Sequence, residues 1–202
     1  MRSKFQVSIF NFQFSILLCC SMLLAVSCKQ TFTPKPEAYF RIDFPDKEYQ
    51  LYDGICPFTF EYPVYGELVA IDSYSVSEPC WYSIFFPSFK GTIHLTYKEI
   101  DDNFDNFIED NWRMIYSRIA QRADAVDERE YENSEINVYG MIFNIRGNAA
   151  SSVQFFVTDS VRNFLRGSLY FNVRPNADSL APAIDFFRED VIHLIETLEW
   201  KN

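Results

Sequence analysis

The sequence is poor in the residue types that most often carry catalysis or bind phosphate. Of 202 residues only two are histidine and six are glycine, and 18 basic side chains face 28 acidic ones. The glycines form neither a phosphate-cradling loop nor a Gly-Xaa-Ser-Xaa-Gly nucleophile turn. Because an acidic chain repels nucleic-acid backbones, its charge argues against binding to DNA or RNA. These shortages predict a protein that is not an enzyme of a motif-defined class and does not bind nucleic acid.

Cysteine is scarce outside the N-terminal segment. Three of the five cysteines are Cys19, Cys20 and Cys28, which leaves Cys56 and Cys80 in the rest of the chain. Two cysteines and two distant histidines lack the ligand spacing of a zinc site. We therefore expect neither a metal nor another cofactor.

The first 27 residues have the pattern of a signal peptide. Arg2 and Lys4 precede an apolar stretch, and Ala25-Val26-Ser27-Cys28 places small residues before a cysteine, as in a lipoprotein processing site. The pattern predicts cleavage before Cys28 and acylation of its thiol, which would anchor the protein in a membrane. A retained transmembrane anchor and ordinary secretion are the alternatives.

Residues 28–37 follow as a short tether that contains proline, and residues 38–202 are predicted to form one globular domain. No acidic run follows Cys28, which favours anchoring on the periplasmic side of the inner or outer membrane. Without residues 1–27 the chain keeps 16 basic and 28 acidic side chains, a net charge of −12.

Export also determines the expected state of the remaining cysteines, because thiols outside the cytosol can form lasting disulfides. Cys56 and Cys80 are the only pair left in the mature chain. We expect a disulfide between them, which would contribute on the order of 3 kcal/mol by restricting the unfolded chain. The alternative is two separate buried thiols.

The periodicity of apolar residues predicts the order of the secondary structure. A stripe of apolar residues after Asn103 predicts a helix of about five turns with Asp102 as its N-cap, and a second helix is predicted over 180–200 after Asn176. The charged residues 123–135 are expected to form an edge strand or a loop. Strands are predicted over 57–65, 81–86, 91–100, 136–146, 151–158 and 164–173.

Short connections between the late strands favour antiparallel pairing, and the inserted helices favour packed layers. The expected fold class is therefore α+β, a single-domain antiparallel sheet with helices on both sides. This order of elements resembles the α/β/α sandwich of PsbP-like proteins, a resemblance of architecture that implies no function.

Neither histidine is a strong candidate for catalysis. His193 is expected to be solvated on the polar side of the last helix. His94 lies on the wetter face of its strand, and no nucleophile or metal partner can be identified for it from the sequence.

Polar side chains alternate with apolar ones along the three late strands. If these strands are adjacent, the alternation predicts one shared polar face. This face is either an internally hydrogen-bonded part of the fold or a groove for an anionic peptide terminus or ligand. The candidate binding residues are Asn144, Arg146, Gln154, Arg166, Ser168 and Tyr170.

Several long runs of the chain are distinctive: Tyr39–Pro45 (YFRIDFP), Cys56–Pro63 (CPFTFEYP), Pro79–Trp81 (PCW), Gly147–Ser151 (GNAAS), Gln154–Ser160 (QFFVTDS) and Phe164–Phe171 (FLRGSLYF). These runs resemble the GldD family of gliding-motility lipoproteins of Bacteroidetes, a family associated with the gliding machinery and the type IX secretion system. Cys28 matches the acylated residue of the family, and Cys56 and Cys80 match its two mature cysteines.

The resemblance implies a membrane-anchored, non-enzymatic accessory protein and names no catalytic residue. We expect a periplasmic lipoprotein that binds other envelope proteins and assists assembly of a gliding or secretion complex. The alternative is a module that binds a small ligand or an envelope polymer through the polar sheet face.

The predicted lipid anchor can be tested at Cys28. Metabolic labelling with a fatty acid should mark the wild-type protein and should be lost in Cys28→Ala, because the thiol is the acylated group. The matched variant Cys20→Ala changes a cysteine inside the predicted signal peptide and should remain labelled. Undiminished labelling of Cys28→Ala would contradict the assignment.

Overall fold

The structure is a computed structural model, and it describes residues 42–71 and 80–201. The predicted signal peptide, Cys28, the tether and the first residues of the predicted domain lie outside these ranges.

The described residues belong to the α+β class, as expected. Neither of their helices is both long and apolar enough to cross a membrane. The elements are β1 (Tyr49–Tyr52), β2 (Phe58–Pro63), β3 (Glu67–Ala70), β4 (Trp81–Phe86), β5 (Gly91–Glu99), α1 (Phe104–Met114), β6 (Ala123–Asn133), β7 (Val138–Gly147), β8 (Ser151–Thr158), β9 (Asn163–Phe171), α2 (Ala177–Glu196) and β10 (Glu199–Trp200).

The predicted strands are present, and residues 123–135 contain the edge strand β6 rather than a loop. The first helix differs from the expectation, because α1 ends at Met114 and continues as a π-helical turn, Ile115–Ile119. Its N-cap is Asn103, and the expected cap Asp102 has a φ of 51°. The short strands β1, β3 and β10 were not predicted, since two to four residues are too few to show an alternation.

Seven strands form one antiparallel sheet in the order β3-β4-β5-β9-β8-β7-β6. The pairing of β5 with β9 joins its two halves, from Gly91 opposite Phe171 to Glu99 opposite Asn163. Hairpins account for the other pairs. At the β7–β8 turn Gly147 has a φ of 103°, a conformation that favours glycine.

One face of this sheet packs against α2 and a second, three-stranded sheet in the order β1-β2-β10. Alternate residues of the strands meet the apolar stripe of α2, which includes Phe187, Val191 and Leu194. Burial of each such side chain contributes about 1.5–3 kcal/mol before the entropy cost. The largest fully buried side chains on this side include Phe58, Phe60, Ile84, Phe86, Ile93, Leu95, Phe155, Leu165, Leu169 and Phe187.

The opposite face is covered only in part. Ile115 and Ile119, in the π-helical turn after α1, pack with Phe143 of β7 and Phe156 of β8 in a second apolar cluster. The half of this face formed by β3, β4 and β5 has no helix over it among the described residues. The fold therefore has three layers at β7, β8 and β9, where α1 covers the sheet, and two layers at β3, β4 and β5.

Cys56 and Cys80 form a disulfide, with 5.6 Å between their Cα atoms. The bond links the segment before β2 to the residue before β4. It therefore ties the small sheet to the large one near the phenol groups of Tyr52 and Tyr82, which are 3.0 Å apart.

A buried acid on α2 holds three parts of the chain together. Asp190 is 1% exposed and accepts hydrogen bonds from Lys47 Nζ at 2.6 Å, Tyr49 Oη at 3.0 Å and Tyr65 Oη at 2.7 Å. Burial and the nearby carboxylate raise the pKa of both tyrosines, so their hydroxyls stay protonated as donors. Lys47 also lies 3.4 Å above the ring of Phe186.

Asp190→Ala is expected to lower the free energy of unfolding by about 3 kcal/mol, because it leaves a partly buried ammonium group and two hydroxyls without their acceptor. Urea denaturation of the purified domain would measure the change.

Glu189→Ala is the matched control. The Glu189 side chain is 72% exposed and lies 3.9 Å from the same Lys47 ammonium, so its removal should cost less than about 1 kcal/mol. Equal effects of the two substitutions would show that the Asp190 contacts do not stabilise the fold.

Candidate functional site

The structure separates the six residues that were expected to share a polar face. β7, β8 and β9 are adjacent, but the register places Phe143 opposite Gln154, and Gln154 opposite Ser168. Directly opposed residues lie on the same side of a sheet. Phe143 therefore shares a side with Gln154 and Ser168 and not with Phe155. A single face with all six residues was a wrong prediction.

Asn144 and Arg146 lie on the side of the sheet that faces α2. Asn144 Oδ1 accepts a hydrogen bond from Arg188 Nε of α2 at 2.9 Å. Arg146 is exposed and forms a salt bridge at 2.9 Å with Asp127 of β6. Neither residue therefore shares a side of the sheet with Gln154, Arg166, Ser168 and Tyr170.

Gln154, Arg166, Ser168 and Tyr170 do share the other side. Gln154 is fully buried, and its Oε1 accepts a hydrogen bond from Arg166 Nη2 at 2.8 Å. Burial lowers the pKa of Arg166, although the guanidinium remains charged at neutral pH because its ordinary value is so high. Tyr170 meets the ring of His94 edge-on.

The prediction failed for a physical reason. It treated large apolar residues as markers of one common face, which holds for a sheet with one solvated side. In β7, β8 and β9 both sides are covered, so Phe143 packs under α1 while Phe155 and Leu169 pack under α2.

The uncovered half of the sheet forms a continuous surface that we call the open face. Two of its apolar side chains are strongly exposed, Val69 at 52% and Phe85 at 40%. Hydroxyl groups and a histidine alternate with them on the same side of β3, β4, β5 and β9. The residues of the open face are Glu67, Val69, Trp81, Ser83, Phe85, Thr92, His94, Thr96 and Tyr170.

His94 has a partner that the sequence did not reveal. Ser83 Oγ lies 2.9 Å from His94 Nδ1 across the β4–β5 pair. Nucleophilic catalysis by a serine and a histidine uses a third group to orient the base. In the described part of the chain no carboxylate bonds to the His94 ring. The geometry is that of a cross-strand hydrogen bond on the open face.

His193 is not solvated as expected. Its Nε2 lies 2.7 Å from Glu61 Oε2 of β2, and its ring stacks on Tyr49 of β1 with 3.6 Å between centroids. Because β1 was not predicted, no pattern of residues indicated that this side of α2 is covered.

A cavity lies between α1 and the sheet, next to the open face. It has a volume of about 350 Å³, and it opens to solvent on one side. We call it the α1 cavity. Its lining residues are Trp81, Thr96, Lys98, Phe107, Asp110, Asn111, Met114, Phe164 and Arg166.

Polar atoms without partners are concentrated at this cavity. Asn111 is 3% exposed, and within the described residues neither its Nδ2 nor its Oδ1 has a hydrogen-bond partner. The same is true of Arg166 Nε and of Gln154 Nε2. Buried polar groups are nearly always paired in folded proteins, so this group of four atoms requires an explanation.

Asn111 and Asp190 were not predicted as buried polar residues, although each interrupts the apolar stripe of its helix. Asn111 lies four residues after Phe107 and four before Ile115, and Asp190 lies three residues after Phe187 and four before Leu194. Each is a polar residue within the apolar stripe of a helix. Such an interruption of a stripe was the available indication of a buried polar site.

No group of three or more residues among His, Cys, Asp and Glu that could hold a metal ion occurs in 42–71 and 80–201. The cationic and amide groups at the α1 cavity are hydrogen-bond donors, which suit an anion rather than a metal ion.

Comparison with known proteins gives one family. Residues 29–200 match the family model described as gliding motility lipoprotein GldD. No protein of curated function matches the chain. Among solved structures the chain is similar to the solution structure of cyanobacterial PsbP (CyanoP) from Synechocystis sp. PCC 6803, with 10% identity and a TM-score of 0.45, over 77% of this chain and 94% of that chain.

The environment of His94 predicts a pH dependence of stability. Burial lowers the pKa of His94 below its ordinary value. On acidification the unfolded chain therefore takes up this proton before the folded protein does, and the free energy of unfolding falls as the pH drops below about 6.5. His94→Gln should reduce this fall when unfolding is measured between about pH 7.5 and about pH 5.

His193→Gln leaves His94 in place and is the control, so the part of the decline that belongs to His94 should persist in it. An unchanged pH profile in His94→Gln would show that His94 titrates alike in the folded and unfolded states.

Proposed function

The chain belongs to the GldD family of gliding motility lipoproteins, and from this premise we propose that it is a non-enzymatic accessory protein that assists assembly of the gliding or type IX secretion machinery by binding other envelope proteins. As a member of this family it is a lipoprotein associated with gliding motility, anchored to a membrane of the cell envelope. In the proposal it faces the periplasm, and acylated Cys28 is its attachment to the inner or outer membrane.

The open face is the observation that carries the proposal of protein binding. Phe85 and Val69 lie together on the outer strands β3 and β4, with Ser83 between them on the same side. Exposed aromatic and aliphatic groups surrounded by hydroxyls are the composition of many protein-binding surfaces. Large apolar side chains at the centre of such a surface contribute most of the binding energy.

The electrostatics of the chain agree with a protein partner. With a net charge of −12 after the predicted cleavage, the protein is repelled by anionic polymers over most of its surface. The open face itself is formed mainly by aromatic, aliphatic and hydroxyl side chains, together with one histidine whose pKa burial lowers and the exposed carboxylate of Glu67 opposite Phe85. A partner with an apolar patch and a basic group near Glu67 would therefore complement this face.

A second candidate function is binding of a small ligand or an envelope polymer. The α1 cavity favours it, since a concave site with a few convergent polar groups is the usual form of a ligand site. Of the six residues first expected to form such a site, only Arg166 lines this cavity.

The first proposal predicts a partner that depends on the open face. The wild-type lipoprotein should be recovered with other envelope proteins after mild solubilisation of the membrane. Phe85→Lys should abolish this co-purification with little change in melting temperature, because Phe85 is already 40% exposed and the new ammonium group would lie opposite the carboxylate of Glu67.

Val161→Lys is the matched control, because Val161 is an exposed apolar residue in the β8–β9 turn, away from the open face. It should leave the co-purification intact. Recovery of the intact wild-type protein alone, or equal losses in both variants, would contradict the proposal.

A further inference from the structure

We propose that the α1 cavity binds a carboxylate group attached to an apolar body of about the size of one amino acid. The proposal rests on the second candidate function, ligand binding, and names the chemical class of the ligand. It does not require the first, binding of envelope proteins. It depends on Asn111 and Arg166, on the apolar walls between them, and on the charge around the cavity.

Asn111 is the first reason. Its amide is nearly completely buried, lines the cavity and has no hydrogen-bond partner in the described residues. An apolar residue at this position of α1 would continue the stripe from Phe107 to Ile115 at no polar cost. A ligand that accepts a hydrogen bond from Nδ2 would explain why an amide is there. Because the terminal side-chain torsion of asparagine is soft, the amide can turn to meet it.

Arg166 supplies the charge for an anion. Gln154 holds one side of its guanidinium through the 2.8 Å hydrogen bond to Nη2, while Nε remains without a partner. No carboxylate of the described residues pairs with Arg166. A half-buried guanidinium that is fixed in place and not neutralised is well prepared to bind an anion, since little side-chain entropy remains to be lost.

The walls of the cavity select a singly charged group with an apolar body. Phe107, Met114 and Phe164 form apolar walls, and Lys98 lies above the ring of Trp81 with its ammonium 5.3 Å from the centroid. Asp110 at the mouth is paired with Arg113. The Arg166 cation next to apolar walls suits a carboxylate, whereas a doubly charged phosphate would be poorly solvated against three apolar side chains.

The same chemistry has two sources, a free carboxylic acid and the C-terminus of a polypeptide. The volume of about 350 Å³ is at the small end of ligand sites, so in either case one residue would enter. N-acetyl-leucine represents the free acid, and a short peptide that ends in leucine represents the chain terminus. Their amides, which lack only the charge, are the matched ligands.

Binding should be measured by calorimetry on the acylated protein purified in nanodiscs, with empty nanodiscs as the blank for partitioning. The acid should bind at least about tenfold more tightly than its amide, because only the carboxylate carries a charge opposite to that of Arg166, so that both partners of the hydrogen bond are ionised. Tight binding of the peptide together with weak binding of the free acid would assign the site to chain termini. The opposite order would assign it to small acids.

Two variants test the assignment to the cavity. Arg166→Gln should weaken binding of the acid at least about tenfold. Arg146→Gln should not, because Arg146 lies exposed on the opposite side of the sheet in a salt bridge with Asp127.

Asn111→Leu should abolish binding and at the same time raise the melting temperature by about 2–8 °C, since it removes a buried polar group that has no partner. A merely structural asparagine would show the opposite change in stability. This variant also keeps the proposal falsifiable if Arg166→Gln fails to fold.

The proposal is overturned if acid and amide bind equally, or if neither the free acid nor the peptide binds at concentrations up to about 10 mM. It is also overturned if Arg146→Gln weakens binding as much as Arg166→Gln does, or if Asn111→Leu lowers the melting temperature or leaves binding unchanged. None of these measurements involves a partner protein, so their failure would leave the protein-binding proposal intact.

Discussion

Nine consecutive residues of β5 pair with nine of β9, although α1 and three further strands separate them in the sequence. The intervening chain has to leave the sheet at Ile100 and return at Asn163, and closing so long a loop has an entropic cost that the ladder and its buried side chains must offset. This one pairing places Thr96 opposite Arg166 and Lys98 opposite Phe164. The floor of the α1 cavity is therefore a consequence of the strand order.

The same pairing explains why the sheet is covered unevenly. α1 follows β5 directly and returns the chain toward β6 at the far edge, so its apolar cluster lies over β7, β8 and β9. On this face, nothing in the described chain returns over β3, β4 and β5. The open face and the α1 cavity lie on the two sides of one boundary, where helical cover ends. Trp81 and Thr96 belong to both.

The two helices each carry one polar residue in an apolar stripe, and only one of these two residues has hydrogen-bond partners. Asp190 of α2 receives hydrogen bonds from Lys47, Tyr49 and Tyr65 and has become a point of attachment for the N-terminal part of the described chain. Asn111 of α1 receives none. The contrast indicates that the first is part of the stability of the fold, whereas the second costs stability and needs a ligand to explain it.

Much of this fold could be predicted from the sequence, because long strands and helices carry clear periods. The hairpins of β7, β8 and β9 and the class of the fold followed from those periods. The shared polar face could not be predicted correctly. Alternation shows which residues of one strand lie on the same side, but it does not give the register between neighbouring strands. Asn111 and His94 obtain their surroundings from residues distant in sequence, such as Ser83 and Arg166, and no local pattern contains that information.

The acidic side chains of the edge strand β6 have a further consequence for a protein that is anchored to a membrane. Its exposed side chains include five carboxylates along 11 residues: Asp124, Asp127, Glu128, Glu130 and Glu132. An open strand edge invites pairing with another chain, and acyl anchoring confines copies to a plane where they meet often. Two such edges repel each other by charge alone. On a crowded bilayer this repulsion opposes pairing between the β6 edges of neighbouring copies.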